Sequence, residues 1–141
     1  MKLEKDLNRV IASAFYEAKQ KRHEYVTPEH LLYSALHSEQ GRDIISSLGG
    51  DIDILRAELK KHMKKHIPIL KTGSVMQSRS FQELMNIAAT RAASAGKKHV
   101  HLTDMLVAFY DCEECFATWF LLNQGIERYE MVEYVSHGFI A

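Results

Sequence analysis

Apolar residues recur along the chain at the three- and four-residue spacing of amphipathic helices. The first stripe spans about five helical turns and comprises Leu3, Leu7, Val10, Ile11, Ala14, Phe15 and Ala18. Similar stripes recur in residues 31–36, 44–48, 52–63, 81–92, 105–109, 116–122 and 131–135. No segment shows the strict alternation of a half-buried strand. The pattern therefore predicts an all-α fold of about eight helices.

Two of these helices have recognisable capping residues at their predicted starts. Thr27 is suited to the N-cap position and Pro28 to the first helical position, where its missing N–H removes no hydrogen bond. The segment SFQE predicts a capping box in which Ser80 is the N-cap and Glu83 returns a hydrogen bond to it. Residues 69–79, which precede the second of these helices, lack periodicity and belong to the predicted linker.

The order of helix lengths (long, short, short, medium) occurs twice, which indicates an internal repeat. Placing Thr27 on His101 gives a shift of 101 − 27 = 74 residues. That shift aligns six further pairs: Leu7 with Phe81, Ala14 with Ala88, Ala18 with Ala92, Val26 with Val100, Leu32 with Leu106, and Ile52 with Ile126. We predict one compact domain over residues 1–141, built from two four-helix repeats with pseudo-twofold symmetry. The predicted repeats are 1–67 and 80–138, joined by a linker at 68–79.

Composition and charge narrow the class of protein. Of the 141 residues 46% are apolar and 26% are charged, which is typical of a soluble globular domain. Lys and Arg equal Asp and Glu at 18 each, so we expect no general attraction to nucleic acid or to anionic membranes. The N-terminal segment MKLEKDLNRV lacks the apolar core of a signal peptide, and only two cysteines occur. These features favour a cytoplasmic location.

The motifs of several enzyme classes are missing. The chain contains no GxxxxGK[ST] for nucleotide phosphates, no HExxH for zinc and no GxSxG for a nucleophilic serine. We therefore predict that it is not itself an enzyme and that it needs no cofactor of its own.

The segment HEYVTPEHLLYSAL, the terminal VEYVSHG, the alanine-spaced long helices and the period of 74 together resemble the N-terminal domain of Clp ATPases. The resemblance covers essentially the whole chain and is strongest to the ClpA type. It implies a double four-helix repeat that is attached flexibly to a hexameric AAA+ unfoldase, which feeds the ClpP protease. The ATPase modules would follow Ala141, and ATP and Mg would bind only there. The domain itself would be monomeric and would perform no chemistry.

The resemblance also implies partners and a surface. ClpA-type domains bind ClpS-like adaptors, ClpC-type domains bind MecA-like adaptors, and both types receive some unfolded or tagged protein substrates directly. Carried over by position, the partner-binding residues are Glu24, Glu29, Ser80 and Gln82. Glu83 stands where the family has a basic residue, which departs from the ClpS-binding pattern.

Alternatives to the ClpA type remain open. A ClpC-type domain would use two acidic sites for phosphoarginine-marked clients, matched here by Glu29 and Thr103, only one of which is acidic. A free-standing Clp-N-like interaction protein is a further alternative. For Glu29, a purely structural role is also open, because a carboxylate in the first turn of a helix interacts favourably with the helix dipole.

A small metal-dependent enzyme is the alternative from a different class. His23, Glu24 and His30 lie close in sequence, and His62 and His66 share a helix face, but zinc needs three or four convergent ligands. We therefore predict no metal site.

Two further groups of residues are predicted to have structural roles. Cys112 and Cys115 form an isolated CxxC without a thioredoxin-like setting, so we predict ordinary thiols; zinc would require further ligands such as His99 and His101. The aromatic residues of the seventh stripe are predicted to be core, with an exposed binding stripe as the alternative; they are Phe116, Trp119 and Phe120.

Overall fold

The computed structural model describes residues 1–138 and contains eight α-helices within that range. The first four are α1 (Lys5–Gln20), α2 (Pro28–Ala35), α3 (Glu39–Ser47) and α4 (Ile52–His66). The second four are α5 (Arg79–Ser94), α6 (Leu102–Ala108), α7 (Phe116–Asn123) and α8 (Arg128–His137), with a 3-10 helix (Phe109–Asp111) after α6. The all-α prediction is confirmed. The predicted domain end at Ala141 lies outside the described residues. None of the helices in residues 1–138 is long and apolar enough to span a membrane.

Four two-residue strands join the two repeats through parallel pairs. They are β1 (Lys2–Leu3), β2 (Tyr25–Val26), β3 (Met76–Gln77) and β4 (His99–Val100). β1 pairs with β4 and β2 pairs with β3, so each repeat contributes its first strand to the second strand of the other. A shift of 74 residues converts one pair into the other. The strands confirm the pseudo-twofold symmetry, and β3 lies inside the predicted linker.

The spacing between the repeats increases partway along the chain. The shift of 74 holds for the starts of α1 and α5 and of α2 and α6. Beyond the 3-10 helix the shift is 76, because the buried positions Gly41, Ile44 and Ile45 of α3 correspond to Ala117, Phe120 and Leu121 of α7. The predicted alignment of Ile52 with Ile126 is therefore wrong, and Ile52 corresponds to Arg128. The two additional residues lie in the loop that contains the cysteines.

The core is formed by the predicted apolar stripes of both repeats. The long helices α1 and α5 turn their small residues inward, and Ala14, Ala18, Ala88 and Ala92 are fully buried. These small side chains let α2 and α6 pack closely against them. Gly41 marks a second close approach, since a Cβ atom there would lie 2.1 Å from the Ala35 carbonyl oxygen.

The division of the chain into a first repeat at 1–67, a linker at 68–79 and a second repeat at 80–138 stays a prediction.

The N-cap predicted for α2 in the first repeat is confirmed, whereas the N-cap predicted for α5 in the second repeat is wrong. Thr27 is the N-cap of α2 and Pro28 is its first residue, as predicted. In the second repeat the N-cap of α5 is Ser78, whose hydroxyl accepts the Phe81 N–H at 3.0 Å. The capping box predicted at Ser80 and Glu83 is therefore wrong. Pairing of β3 with β2 sets the N–H of Ser78 on the Val26 carbonyl, and the chain turns into the helix at that point.

Candidate functional site

The start of α2 is fixed by a network of imidazoles. The Thr27 backbone N–H donates to Nδ1 of His30 at 2.9 Å, which completes a capping box around the helix start. Because Nδ1 of His30 accepts, the ring carries its proton on Nε2 and donates it to Nδ1 of His23 at 2.8 Å. Burial lowers the pKa of His30 to about 3 and also lowers the pKa of His23. The two imidazoles are thus neutral structural partners.

Glu29 lies at the second position of α2 and is buried where the two repeats meet. Its side chain is 6% exposed, and Oε2 accepts the Ala117 backbone N–H at 3.0 Å. Ala117 belongs to the first turn of α7, so a carboxylate of the first repeat caps a helix of the second. Burial raises the pKa of Glu29 to about 7, against the opposing effect of the Ala117 N–H. A partner-binding residue at this position would have to be accessible, and the structure instead places α7 against Glu29.

Asp104 is the counterpart of His30 in the second repeat and has the same capping role. It is 1% exposed, and its Oδ2 accepts the backbone N–H of His101 at 2.8 Å. Its other oxygen accepts a hydrogen bond from Nζ of Lys97 at 2.8 Å and lies 3.8 Å from Nε of Arg91. Two chemically different side chains therefore complete the same capping box in the two repeats.

Three of the four predicted partner-binding residues lie around the β2–β3 pair. The carbonyl of Glu24 accepts the N–H of Met76, and Val26, two residues later, accepts the N–H of Ser78. This pairing brings Glu24 to the segment that leads into α5. Ser80 and Gln82 lie in the first turn of α5, where Ser80 is half-buried and Gln82 is exposed. The structure thus brings these three residues to one region, whereas Glu29 is buried beneath α7.

A groove of about 930 Å³ runs along the solvent-facing side of α5 and includes Gln82. Ile87 is the large apolar residue of its wall, and the remaining lining is mostly polar or charged; it includes Arg79, Glu83, Asn86, Thr90, Arg91 and Asp111. Asp111 is paired with Arg128 at 3.0 Å. Arg79 and Glu83 have no ion-pair partner among residues 1–138. Such a wall can contact a polypeptide through both charge and shape.

A related groove lies along α1 in the first repeat. Its volume is about 830 Å³, and it includes Ser13, which corresponds to Ile87, and His37, which corresponds to Asp111. Unlike the α5 groove, it is bounded by α8 of the other repeat through Tyr134 and Val135. Apart from Gln82 and Glu83, the residues that line the α5 groove were not predicted from the sequence. The polar positions between the apolar positions of α5 are the pattern that could have indicated them.

The clusters considered as metal sites do not converge. Over residues 1–138 no three side chains of His, Cys, Asp or Glu lie close enough to share a metal ion. His23 and His30 are bonded to each other, and Glu24 lies outside that pair. The rings of His62 and His66 stack with centroids 4.5 Å apart, and burial together with His66 lowers the pKa of His62.

Cys112 and Cys115 are joined by a disulfide, so the prediction of ordinary thiols is wrong. Their Cα atoms are 5.6 Å apart, which is within the usual range for a bridge. Cys115 is also the N-cap of α7. The bridge therefore closes the loop that leads into this helix.

The prediction that the aromatic residues of α7 are core holds only for Phe120, which is 6% exposed. Phe116 is 61% exposed and Trp119 is 58% exposed, so their assignment to the core is wrong. The helix has apolar residues on all sides, and only one side can face α2 and α4. Its other side is left in solvent.

A family model for the Clp repeat (R) N-terminal domain matches residues 2–124. A ClpA homolog protein of Fuscovulum blasticum is 27% identical over 136 residues, covering 94% of this chain and 17% of the relative. The chaperone protein ClpB of Chlamydia trachomatis is 27% identical over 117 residues, covering 80% of this chain and 14% of the relative. The chain thus spans less than a fifth of the length of these curated relatives.

Solved structures share the fold at low identity. The N-terminal domain of Hsp104 from Candida albicans superposes with a TM-score of 0.83 at 12% identity, covering 97% of this chain and 91% of that one. A ClpV N-domain in complex with a VipB peptide superposes with a TM-score of 0.76 at 18% identity, covering 96% and 86%. At these identities the likeness establishes the fold.

Proposed function

The chain belongs to the Clp repeat N-terminal domain family, and we propose that it is a non-catalytic docking domain for adaptor proteins and protein substrates of a Clp-type ATPase. The parent would be a hexameric AAA+ unfoldase that delivers unfolded chains to a ClpP-type protease in the cytoplasm. ATP and Mg would bind to the ATPase modules of that parent. A flexibly attached docking domain would raise the concentration of a client near the hexamer.

The observation that carries this proposal is the groove along α5, together with the residues at its start. Gln82 forms part of the groove wall, and the β2–β3 pair brings Glu24 to the segment before α5. A polypeptide segment that lies along α5 could contact Ile87 with an apolar side chain and the surrounding charged residues with polar side chains. The ClpV N-domain that shares this fold is in complex with a peptide, which supports a polypeptide as the ligand.

Within this proposal, Glu24, Ser80 and Gln82 contact the partner, and Glu29 acts by holding α7 in position. The ClpC-type alternative requires Glu29 as an accessible acid for a phosphoarginine-marked client. The burial of Glu29 counts against that alternative and equally against Glu29 as a contact of a ClpA-type adaptor. The ClpS-like adaptor is therefore proposed from Glu24, Ser80 and Gln82 alone.

Titration calorimetry of the chain against ClpS-like adaptors tests the proposal. Ile87→Arg places a long charged side chain in the groove, and we expect it to weaken binding by about tenfold or more, as blocking a central contact does. The matched control is Ser13→Arg, which makes the same addition at the equivalent position of the α1 groove and should leave affinity within about twofold. Equal affinities of the wild type and Ile87→Arg for an adaptor would show that the groove is not the docking site.

Charge reversal at the start of the groove tests the role of Glu24. Glu24→Lys should weaken binding, mainly through slower association at low salt. Lys98 occupies the equivalent position of the second repeat, so Lys98→Glu is the control. If only the control affects affinity, the partner docks near the β1–β4 pair instead.

A further inference from the structure

The outer side of α7 carries large apolar side chains that the fold does not require. Phe116, Trp119 and Leu122 are 61%, 58% and 42% exposed. They follow one another at three-residue spacing and so lie on one side of the helix. Together they expose on the order of 300 Å² of apolar surface. Apolar patches of this area on small monomeric proteins are often binding sites.

The first repeat supplies an internal control for this surface. With the shift of 76, the counterparts of Phe116, Trp119 and Leu122 in α3 are Gln40, Asp43 and Ser46, and all three are exposed. The same helix position in the same fold is therefore polar in one repeat and aromatic in the other. Packing of the core does not explain this difference, because both helices bury their equivalent inner positions.

The aromatic side chains of α7 continue into α4 as one surface. The ring of His62 lies 5.1 Å from Phe116 and 5.3 Å from Phe120, measured between centroids. His66 stacks on His62, and Trp119 meets Phe120 edge to face at 5.1 Å. We use the name aromatic surface for the side chains of His62 and His66 on α4 and of Phe116, Trp119, Phe120 and Leu122 on α7.

The helix that carries this surface is held firmly. Glu29 caps its first turn through Ala117, and the hydroxyl of Thr118 donates a hydrogen bond to the Phe109 carbonyl. Phe120 and Leu121 anchor its inner side in the core. A surface that is ordered before binding loses less entropy when a partner docks.

The charge beside the rings is positive on the α4 side. Lys61 and Lys65 are four residues apart and lie on the same side of the His62–His66 stripe, both exposed. Neither has an ion-pair partner in the described part of the chain. Two exposed glutamates, Glu113 and Glu114, lie in the loop just before Phe116. The positive charges beside the aromatic surface are therefore those of Lys61 and Lys65 on α4.

We propose that the aromatic surface of α4 and α7 is a second docking site, for a peptide segment in which large apolar side chains are interspersed with acidic residues. The apolar side chains cover Phe116 and Trp119, and the carboxylates face Lys61 and Lys65. This site uses different helices from the α5 groove, so it does not depend on the docking function proposed for that groove.

A labelled peptide of defined composition tests the proposal. The probe is fluorescein-EEFLEEFLEE, and the comparison peptides are KKFLKKFLKK, with reversed charge, and EESSEESSEE, without apolar residues. Trp119 is the only tryptophan in the chain, and the probe contains none. A change in tryptophan fluorescence on addition of the probe therefore reports contact at Trp119. We expect the probe to shift the Trp119 emission and to bind about tenfold or more tightly than either comparison peptide.

Substitutions in α7 that copy the equivalent residues of α3, and charge reversals on α4, separate the apolar and the electrostatic contributions to probe binding. Phe116→Gln, Trp119→Asp and Leu122→Ser together give α7 the residues of α3, and we expect probe polarisation to show about a tenfold or greater loss of affinity. Lys61→Glu with Lys65→Glu should weaken binding about fivefold at low salt, whereas the same change at Lys60 and Lys64, on the opposite side of α4, should have less than about a twofold effect. Ile87→Arg should leave probe binding unchanged.

Four results would overturn the proposal. The first is equal affinity of the probe for the wild type and the triple α7 variant, with both shown to be folded by circular dichroism. The second is equal binding of the acidic and basic peptides. The third is loss of probe binding in Ile87→Arg, which would place the peptide in the α5 groove. The fourth is a dimer in sedimentation experiments that the triple variant abolishes, because the occupant would then be a second copy of the chain.

Discussion

Glu29→Gln should convert a pH-dependent contact between the repeats into a pH-independent one. In the folded chain the buried carboxyl has a pKa of about 7, against an ordinary value of 4.5. Below pH 4.5 the group is protonated in both the folded and the unfolded chain. As the pH rises, the unfolded chain releases its proton first, and the folded chain must either retain the proton or bury a charge.

The size of the effect follows from this difference in pKa. Between pH 4.5 and about 7 the folded chain binds more protons than the unfolded chain, so the free energy of unfolding falls as the pH rises. The total loss is about 3 kcal/mol, and it is complete above pH 7. Gln keeps an oxygen that can accept the Ala117 N–H and carries no titrating proton.

Urea unfolding followed by circular dichroism, from about pH 4 to about pH 8, measures the effect as the variant's free energy of unfolding minus that of the wild type. We expect this difference to increase by about 3 kcal/mol across the range. Glu24→Gln removes a half-exposed carboxylate five residues earlier and supplies the baseline. A difference that changes by less than about 0.5 kcal/mol, or that decreases, would refute the assignment of a raised pKa to Glu29.

The wild-type free energy of unfolding must be subtracted from that of the variant, because His30 changes it with pH in the direction opposite to Glu29. Its pKa is lowered to about 3 by burial, so the stability that it contributes is complete above pH 6.5 and is lost as the pH falls toward 3. Between pH 4.5 and 6.5 the contributions of Glu29 and His30 have opposite slopes and similar size. Burial also lowers the pKa of His23 and of His62, and both act in the same direction as His30. The wild-type profile is therefore a sum of opposing contributions, and only the difference between Glu29→Gln and the wild type isolates Glu29.

Three further outcomes are expected from the same unfolding assay. Asp104→Ala removes the capping acceptor of α6 and the partner of Lys97, and should lower the free energy of unfolding by about 2 kcal/mol; an unchanged value would mean that the capping box is not formed. Replacing Cys112 and Cys115 with serine should lower it by about 2 kcal/mol relative to the oxidised chain, and a reductant should reproduce the loss in the wild type but not in the variant. Trp119→Asp should change it by no more than about 0.5 kcal/mol, whereas Phe120→Ala should lower it by about 3 to 5 kcal/mol; equal effects would contradict the different burial of these neighbours.

The features predicted from the sequence are those that short-range patterns determine. The helices follow from apolar periodicity, and Thr27 with Pro28 marks a helix start by local chemistry alone. The repeat followed from alignment of the chain with itself. By contrast, the two-residue strands are too short to show alternation, and their partners lie in the other repeat. The N-cap of α5 depends on that pairing, which is why Ser78 and not Ser80 has this role.

The candidate site was predicted less completely because burial between the repeats cannot be inferred from one segment. The segment around Glu29 places this residue in the first turn of α2 but carries no information on what packs against it. Its hydrogen-bond partner, Ala117, lies 88 residues away. Phe116 and Trp119 looked buried because aromatic residues in an apolar helix usually are. In a helix that is apolar on all sides, the sequence cannot indicate which side faces the core.

Differences between the repeats point to function only where both copies are exposed. Glu29 and Thr103 differ, but Glu29 caps α7, so this difference belongs to the contact between the repeats. His30 and Asp104 also differ, and both complete a capping box. The outer positions of α3 and α7 do not cap a helix; Gln40, Asp43 and Ser46 occupy them in one repeat and Phe116, Trp119 and Leu122 in the other. An exposed tryptophan at a position where the fold accepts aspartate stabilises the isolated chain little, and this contrast between the repeats is the observation on which the proposed aromatic docking surface rests.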